Sequence, residues 1–303
     1  MGKQKTNSGL LCMAGLLFLG AAVYGEPELQ VRGSLEWDKR ELNAQVTLDL
    51  ASAGIRLPAG RGQAEEILAA EYPGLLRPFV LSIPADSSGT IGDLVDRGVF
   101  SLRKTGDIIA ASRKVPPALS ADLRFLSAGY TVAIDAVSAA FVEHHRPAEP
   151  PRTLNPVPSA SYTGIIIIAG EALPVHGRRT SAVLLPCLFP KIWDTDMNLI
   201  YERNHTDPRI SLQNAIVRYE REENIFRPTP SGLSEELESL VGPRPLRIIA
   251  RGVFGIRPTD PIIDREDALT IISSENNRRL LREGRVALIV PEASLKVPFQ
   301  YPD

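Results

Sequence analysis

The segment Tyr162-Thr-Gly-Ile-Ile-Ile-Ile-Ala169 decides the fold class of the second half of the chain. Its β-branched residues follow one another without polar alternation, which is typical of a strand covered on both faces. Strand and helix patterns alternate from there to Val290, and this order favours α/β packing. We therefore expect an internal strand at 162–169 and a C-terminal α/β domain over residues 160–303.

A proline-rich segment, residues 146–159, precedes this domain. Proline lacks a backbone N–H and fixes φ, so a helix is excluded here and an extended, semi-rigid linker is favoured. The segment contains five prolines: Pro147, Pro150, Pro151, Pro156 and Pro158. We therefore place a first domain over residues 26–145.

Strand and helix patterns both occur in the first domain. Residues 35–37 and 44–50 read as strands, and residues 123–137 read as two short strands around Gly129. A helical apolar stripe starts at Arg61, with two internal prolines that should kink or end the helix. The sequence thus predicts an α+β protein with two small, mixed α/β sandwich-like domains joined by the proline-rich linker.

Three local patterns fix the ends of further elements. Thr90 and Asp93 have the spacing of a helix capping box. Residues 183–193 and 199–201 look like paired strands, with 194–196 as the turn between them. Asp264 is a suitable N-cap for a helix that ends near Gly284, before a closing strand.

The first 25 residues resemble an export signal. Lys3 and Lys5 precede an almost wholly apolar run, Leu10 to Val23, and we expect cleavage between Gly25 and Glu26. The alternative is an uncleaved anchor, although the 14-residue run is shorter than the roughly 20 residues that span a bilayer. The expected location is the periplasm or cell envelope, with membrane attachment only if the segment is retained.

Composition limits the possible partners. Cleavage would remove two lysines and no acidic residue, which leaves a formal charge of −4. This balance argues against a nucleic-acid partner. Cys187 would be the only remaining cysteine, so an intramolecular disulfide is excluded.

The residues from Thr259 to Ala268 and from Leu280 to Val290 resemble a recurring spirochaete-type envelope family. The resemblance includes the segments at Tyr162 and at 188–196 and, more loosely, residues 61–137. Members look related to LPP20 and FlgP-like proteins. It implies a non-enzymatic periplasmic or outer-envelope component, which in some relatives belongs to assemblies around the flagellar motor. Cys12 lies at the front of the apolar run, so this chain lacks the lipid-accepting cysteine of lipoprotein members.

Four groups of residues could carry chemistry, and each also has a structural interpretation. Adjacent histidines point to opposite faces of a strand and make a poor metal site. Carboxylates in a turn could hold a cation, but more often they close the turn. A thiol in an apolar run has no base to activate it, and arginines near a helix end offset the macrodipole. The groups are His144 with His145; Asp194 with Asp196; Cys187; and Arg278, Arg279, Arg282 and Arg285.

We therefore predict no catalytic residue, no cofactor and no metal site. The favoured hypothesis is an envelope protein that contacts other envelope or periplasmic flagellar proteins, or itself. An alternative is a glycan- or lipid-binding module in which Trp193 and Tyr201 stack on the ligand. The last hypothesis is a metal-dependent enzyme that uses Asp194, Asp196 and a histidine.

Overall fold

The computed structural model describes residues 28–154 and 158–301, so the cleavage site predicted at Gly25 and Glu26 lies outside the described residues. The protein is an α+β protein of two domains. Its first part contains β1 (Leu29–Glu36), β2 (Glu41–Asp49), α1 (Arg61–Leu81), β3 (Pro84–Asp86), β4 (Gly89–Thr90), α2 (Ile91–Asp96), α3 (Leu102–Ala110), β5 (Arg113–Leu119), β6 (Phe125–Ala133) and α4 (Ile134–Ala139).

Strands and helices alternate more often after the linker than before it. They are β7 (Ile165–Ile168), β8 (Leu173–Pro174), β9 (Ser181–Ala182), β10 (Ile192–Asp194), β11 (Leu199–Tyr201), α5 (Pro208–Ser211), β12 (Arg218–Glu220), α6 (Glu235–Val241), β13 (Leu246–Ile249), β14 (Gly252–Phe254), β15 (Asp260–Ile263), α7 (Arg265–Ile272), α8 (Glu275–Arg282), β16 (Val286–Ile289), α9 (Glu292–Leu295) and β17 (Lys296–Tyr301).

The first sheet is antiparallel, with strand order β17-β1-β2-β6-β5. Side chains of β2 and β6 alternate between a buried face and a more exposed polar face. Helix α1 covers the buried face, and Tyr72 stacks on Tyr130 with ring centroids 4.2 Å apart. The two strands predicted in this region correspond to β1 and β2, which pair with each other antiparallel.

Helix α1 continues through Pro73 and Pro78, so the prediction that these prolines would kink or end it was wrong in its stronger form. The missing N–H groups would have bonded the carbonyls of Ala69 and Gly74. Both of those residues are exposed, so water can satisfy the carbonyls. Apolar packing of the helix against the sheet outweighs the two lost hydrogen bonds.

Residues 123–137 form one long strand and the start of a helix, not two short strands around Gly129. Gly129 lies in the middle of β6, between Gln45 of β2 and Val115 of β5. Neighbours on both sides continue the ladder through the glycine. Strand β5 was missed because it contains Pro116 and Pro117, which sit at a bulge in this edge strand.

The second domain contains a parallel sheet in the order β12-β16-β7-β13. Strand β7 is internal, as its uninterrupted isoleucines predicted. Its side chains enter two clusters: Ile165 and Ile167 join the main core, while Ile166 packs with Leu237 of α6. The domain also contains a mixed sheet in the order β11-β10-β15-β14.

The helices after the linker have identifiable caps, and the helical segment predicted from Asp264 to Gly284 is divided into α7 and α8 at Ser273 and Ser274. Ser234 accepts a hydrogen bond from the Leu237 N–H at 3.3 Å and caps α6. Asp264 is the N-cap residue of α7, although its carboxylate binds Arg251. Gly284, with φ +62°, follows α8.

The linker lies against the second domain. Residues 146–154 and 158–159 contain no helix or strand. The Ala148 N–H donates to the Asn204 carbonyl at 2.7 Å, and Ser159 Oγ donates to the Thr270 carbonyl at 2.9 Å. The described parts of the linker are thus fixed to one domain rather than free in solvent.

The last strand belongs to the first sheet, although the sequence placed all of residues 160–303 in the second domain. Strand β17 pairs antiparallel with β1. Phe299 stacks on Phe79 of α1 with ring centroids 4.0 Å apart, which explains why the strand crosses over. The main cluster of buried apolar side chains accordingly contains residues from both domains.

Candidate functional site at the domain junction

Backbone hydrogen bonds join the β3-β4 hairpin of the first domain to two loops of the second. The Leu188 and Phe189 N–H groups donate to the Pro84 and Ala85 carbonyls at 3.0 and 2.9 Å. The Arg257 N–H donates to the Ser87 carbonyl at 3.1 Å. Residues 183–191 are therefore not the strand that the sequence predicted. Pro186 and Pro190 interrupt this segment. The N–H groups of Leu188 and Phe189 have no strand partner here and bond across the junction instead.

A second contact region lies between the turn after β1 and the parallel sheet. Trp37 packs edge-on against Tyr219, with ring centroids 5.7 Å apart. The backbone N–H of Trp37 donates to the Leu295 carbonyl at 2.8 Å. Arg221 binds Asp38 at 2.9 Å and Glu292 at 3.1 Å. The junction therefore combines backbone, aromatic and ionic contacts.

Buried polar groups beneath the junction satisfy one another. The Tyr219 hydroxyl donates to the Cys187 carbonyl and accepts from the Cys187 N–H, both at 3.0 Å. Asp260 is fully buried and accepts hydrogen bonds from the Lys191 N–H at 3.1 Å and from Trp193 Nε1 at 3.3 Å. Desolvation is the largest influence on Asp260 and raises its pKa. These groups organise the loop that carries Lys191.

Cys187 is a buried residue without an activating base, as the sequence predicted. Burial raises the pKa of its thiol, and the nearby Asp260 carboxylate acts in the same direction. A thiol held in its neutral form is a poor nucleophile.

A cleft opens to solvent at this junction and has a volume of about 140 Å³. Its walls come from both domains and carry charges of both signs. They are formed by Asp86, Phe189, Lys191, Glu202, Arg203 and Asn204. The Arg203 guanidinium lies over the Phe189 ring, 5.1 Å from its centroid. This cleft can hold a small polar molecule, and we take it as the candidate site.

Most of the residues singled out in the sequence have structural roles elsewhere. Asp194 Oδ1 accepts hydrogen bonds from the Asp196 and Asn198 N–H groups at 3.0 and 2.7 Å and so closes the predicted turn. Asp196 pairs with Arg265 at 3.1 Å. Residues 28–154 and 158–301 contain no group of three or more His, Cys, Asp or Glu side chains placed to hold a metal ion.

Tyr201 cannot stack on a ligand, because it is fully buried and its hydroxyl bonds Thr206 Oγ1 at 2.6 Å. Trp193 is half-buried and packs edge-on against Phe254. Thr206, in the Asn204-His-Thr sequence, is also buried. This segment is a packed turn, although an Asn-x-Thr sequence is typical of exposed loops.

The histidines do not converge. His144 Nε2 shares a hydrogen bond with the Thr206 carbonyl at 2.9 Å, whereas His145 is exposed. His205 accepts a hydrogen bond from the Glu202 N–H at Nδ1, and burial lowers its pKa. Residues 144 and 145 lie outside any strand, so the strand geometry assumed for this pair does not apply.

The arginine cluster is neutralised within the fold. Arg278 donates to the Ile272 carbonyl at the end of α7, at 2.8 Å, and pairs with Glu275. Arg282 pairs with Glu275 and Glu149. Arg279 and Arg285 both pair with Glu283, and Arg285 also donates to the Leu240 carbonyl. A helix-end role is thus observed for Arg278, and the others hold neighbouring segments.

Sequence reasoning missed the cleft residues. Lys191 was part of the quoted 188–196 segment, but only as a hairpin residue. Asp86 and Arg203 belong to different domains and are distant in sequence, so no spacing pattern links them. Only the docking of the β3-β4 hairpin brings their side chains to one cleft.

Two family models match the chain. Residues 28–140 match the N-terminal domain of Treponema pallidum Tp0624, and residues 164–292 match the second domain of the same protein. The chain belongs to a spirochaete family with these two domains. The spirochaete part of the predicted resemblance is thereby confirmed, whereas neither matching description mentions LPP20 or FlgP.

The family matches stop short of the last strand, since residues 296–301 lie outside both segments. No curated protein matched the chain. None of the helices in the described part of the protein combines the length and hydropathy needed to cross a bilayer.

Proposed function

We propose that this member of the spirochaete family is a non-enzymatic component of the cell envelope that acts by contact with other proteins. The observation that carries the proposal is the hydrogen-bonded junction. It joins two family domains into one body, which suits a protein that holds its partners at a fixed distance. Asp194, Asp196, Cys187 and the arginine cluster, which could have supported chemistry, serve the fold.

The proposed location is the periplasm, reached through the export signal and cleavage between Gly25 and Glu26. The proposed partners are other envelope or periplasmic flagellar proteins, and self-association is also included. A relation to LPP20 and FlgP-like proteins, and with it a motility-associated role, belongs to the same proposal and rests on the sequence resemblance.

Affinity purification of the tagged protein from gently cross-linked cells tests the proposal. We expect envelope proteins to co-purify at constant ratios, and we expect the bait to begin at Glu26 when its intact mass is measured. A junction variant, Trp37→Ala, should lose part of this set, because it loosens the relative placement of the two domains. The matched control is Leu154→Ala, whose side chain is 99% exposed.

Two results would contradict the proposal. One is that every protein that cross-links to the parent also cross-links equally well to the junction variant, or that no protein cross-links to the parent. The other is a hydrolase or transferase activity that a single substitution abolishes without unfolding the protein. An intact chain beginning at Met1 would overturn the cleavage step alone.

A further inference from the structure

The junction cleft contains two cationic side chains that the fold leaves without counter-ions. Neither Lys191 Nζ nor the Arg203 guanidinium forms an ion pair within 4 Å among the described residues, whereas Arg221 and Arg282 each bind two carboxylates. The Phe189 ring supports the Arg203 guanidinium from one side. A cation–π contact orients a guanidinium but leaves its N–H donors available.

The same cleft contains two acidic side chains with unused acceptor capacity. Asp86 Oδ1 accepts from the Ser88 N–H and Oγ at 2.8 and 2.6 Å, while its Oδ2 has no donor within hydrogen-bond distance among the described residues. Glu202 caps the short 3-10 turn at 203–205, and the one hydrogen bond to its Oε1 from another side chain of the described residues is long, 3.4 Å from Asn204 Nδ2. The cleft therefore presents both cationic and anionic side chains to a ligand.

The backbone that carries these side chains is fixed. The Phe189 N–H bonds Ala85, the Lys191 N–H bonds Asp260, and the Asn204 carbonyl accepts from Ala148. Since the walls are held before any ligand arrives, binding would require little ordering of the protein. A preformed cleft with convergent polar groups at a domain interface is a common form of ligand site.

The size of the cleft limits the ligand. A volume of about 140 Å³ corresponds to roughly five water molecules at about 30 Å³ each. Pockets for drug-sized ligands are typically two or more times larger. The occupant therefore has fewer than roughly ten non-hydrogen atoms, on this volume argument.

We propose that the junction cleft binds a free, small α-amino acid, with its carboxylate at Lys191 and Arg203 and its ammonium group at Asp86 and Glu202. Charge complementarity selects this class over a simple anion, which would leave Asp86 and Glu202 without a partner of opposite charge. Phe189 and Asn204 complete the cleft beside the side chain of the amino acid. This function is additional to the proposed protein contacts and does not depend on them.

Titration of the purified full chain with L-alanine, followed by calorimetry and by amide chemical shifts, tests the proposal. We expect saturable binding of L-alanine, and binding of acetate and of ethylammonium at least about tenfold weaker, because each carries only one of the two charges. Lys191→Gln and Asp86→Asn should each weaken L-alanine binding by about tenfold, which is the loss of one charge-assisted contact.

Arg178→Gln is the matched control, since Arg178 is exposed in the turn between β8 and β9. Its affinity for L-alanine should equal that of the parent. Thermal unfolding curves establish that each variant is folded. Acetate binding as tight as that of L-alanine, with Asp86→Asn neutral, would replace the proposal with a simple anion site. No saturation with glycine, L-alanine or L-serine in the folded parent would overturn it.

Discussion

At Gly33, the chain brings a neighbouring strand and an aromatic ring closer together than any side chain would allow. A Cβ atom at this position would lie 2.1 Å from the Asn43 carbonyl oxygen and 2.5 Å from the Phe299 ring. One of these contacts is to backbone, which cannot rotate away. Gly33 therefore permits β17 and its phenylalanine to close over β1.

We expect Gly33→Ala to lower the free energy of unfolding by about 1–3 kcal/mol, because the added methyl group overpacks this contact. Urea unfolding followed by circular dichroism measures the effect. The control is Gly106→Ala in α3, where a Cβ would meet nothing within 4 Å. That substitution should be neutral or stabilise the protein by up to about 1 kcal/mol. Equal stabilities for the two variants would show that β17 does not pack as described.

Glu36 is a nearly buried carboxylate that binds two lysines. Its oxygens lie 2.6 Å from Lys39 Nζ and 3.0 Å from Lys296 Nζ, and Ser34 Oγ donates to it at 2.8 Å. The Lys39 hydrogen bond is the largest influence. It lowers the pKa of Glu36 to about 2 from its usual 4.5, against the opposing effect of burial. Because the pKa is lower in the folded state, ionised Glu36 stabilises the fold above pH 4.5, and this contribution is lost as the pH falls towards 2.

We expect Glu36→Gln to lower the free energy of unfolding by about 1 kcal/mol at pH 7. The value is modest because both lysines are largely exposed. The difference from the parent should shrink between pH 4.5 and about 2 and then disappear. Urea unfolding at a series of pH values measures it. Glu66→Gln, at an exposed position in α1, should show no comparable dependence. A constant difference across the whole range would disprove the role of the ionised carboxylate.

At the scale of elements, α1 shows how tertiary packing overrides a local signal. Its buried stripe, formed by Ala64, Leu68, Tyr72, Leu76 and Val80, spans the whole helix. Pro78 lies on the exposed side and removes one backbone hydrogen bond without contributing to the core.

Pro78→Ala should therefore raise the free energy of unfolding by about 1–3 kcal/mol, since it restores the N–H donor and removes the ring's clash with the preceding turn. Differential scanning calorimetry detects the change as a higher Tm. Pro73→Ala provides the comparison at a half-buried site, where lost packing offsets part of the gain. A lower Tm for Pro78→Ala would mean that the ring packs favourably after all.

The sequence predicted those elements whose signals are local. The Thr90 and Asp93 capping box is present, with the Thr90 N–H bonded to Asp93 Oδ2 at 2.7 Å. The isoleucine run at β7 is an internal strand. These patterns need only neighbouring residues or burial on both faces.

Elements that depend on distant partners were misread. Residues 183–191 look apolar and strand-like, but the Leu188 and Phe189 N–H groups bond the β3-β4 hairpin. Strand β17 follows the second domain in sequence, yet its partner is β1. The candidate cleft has the same origin, because Asp86 and Lys191 meet only through this docking. No periodicity within a window of sequence contains that information.

The whole molecule depends on contacts between its domains. Trp37 is 3% exposed and links the turn after β1 to Tyr219 of the parallel sheet. Cross-domain contacts of this kind make two domains unfold together rather than independently. We therefore expect the parent protein to show a single calorimetric transition.

Trp37→Ala should lower the free energy of unfolding by about 3–5 kcal/mol, which is the range for truncating a large buried aromatic residue. It should also make the single transition less cooperative, because Trp37 and Tyr219 belong to the apolar cluster that both domains share. Calorimetry at constant pH tests both effects, with Leu154→Ala as the control that leaves the curve unchanged. A single transition at the parent Tm in Trp37→Ala would refute the coupling.

The pairing of β17 with β1 also sets the order in which this chain can fold. Strand β1 is the first strand among the described residues, and its outer edge is covered only after residues 296–301 have been synthesised. Until then β1 presents unpaired backbone groups, which are a hazard for intermolecular strand pairing. Because contacts this distant in sequence slow folding, completion of the first sheet is a late event in the maturation of the protein.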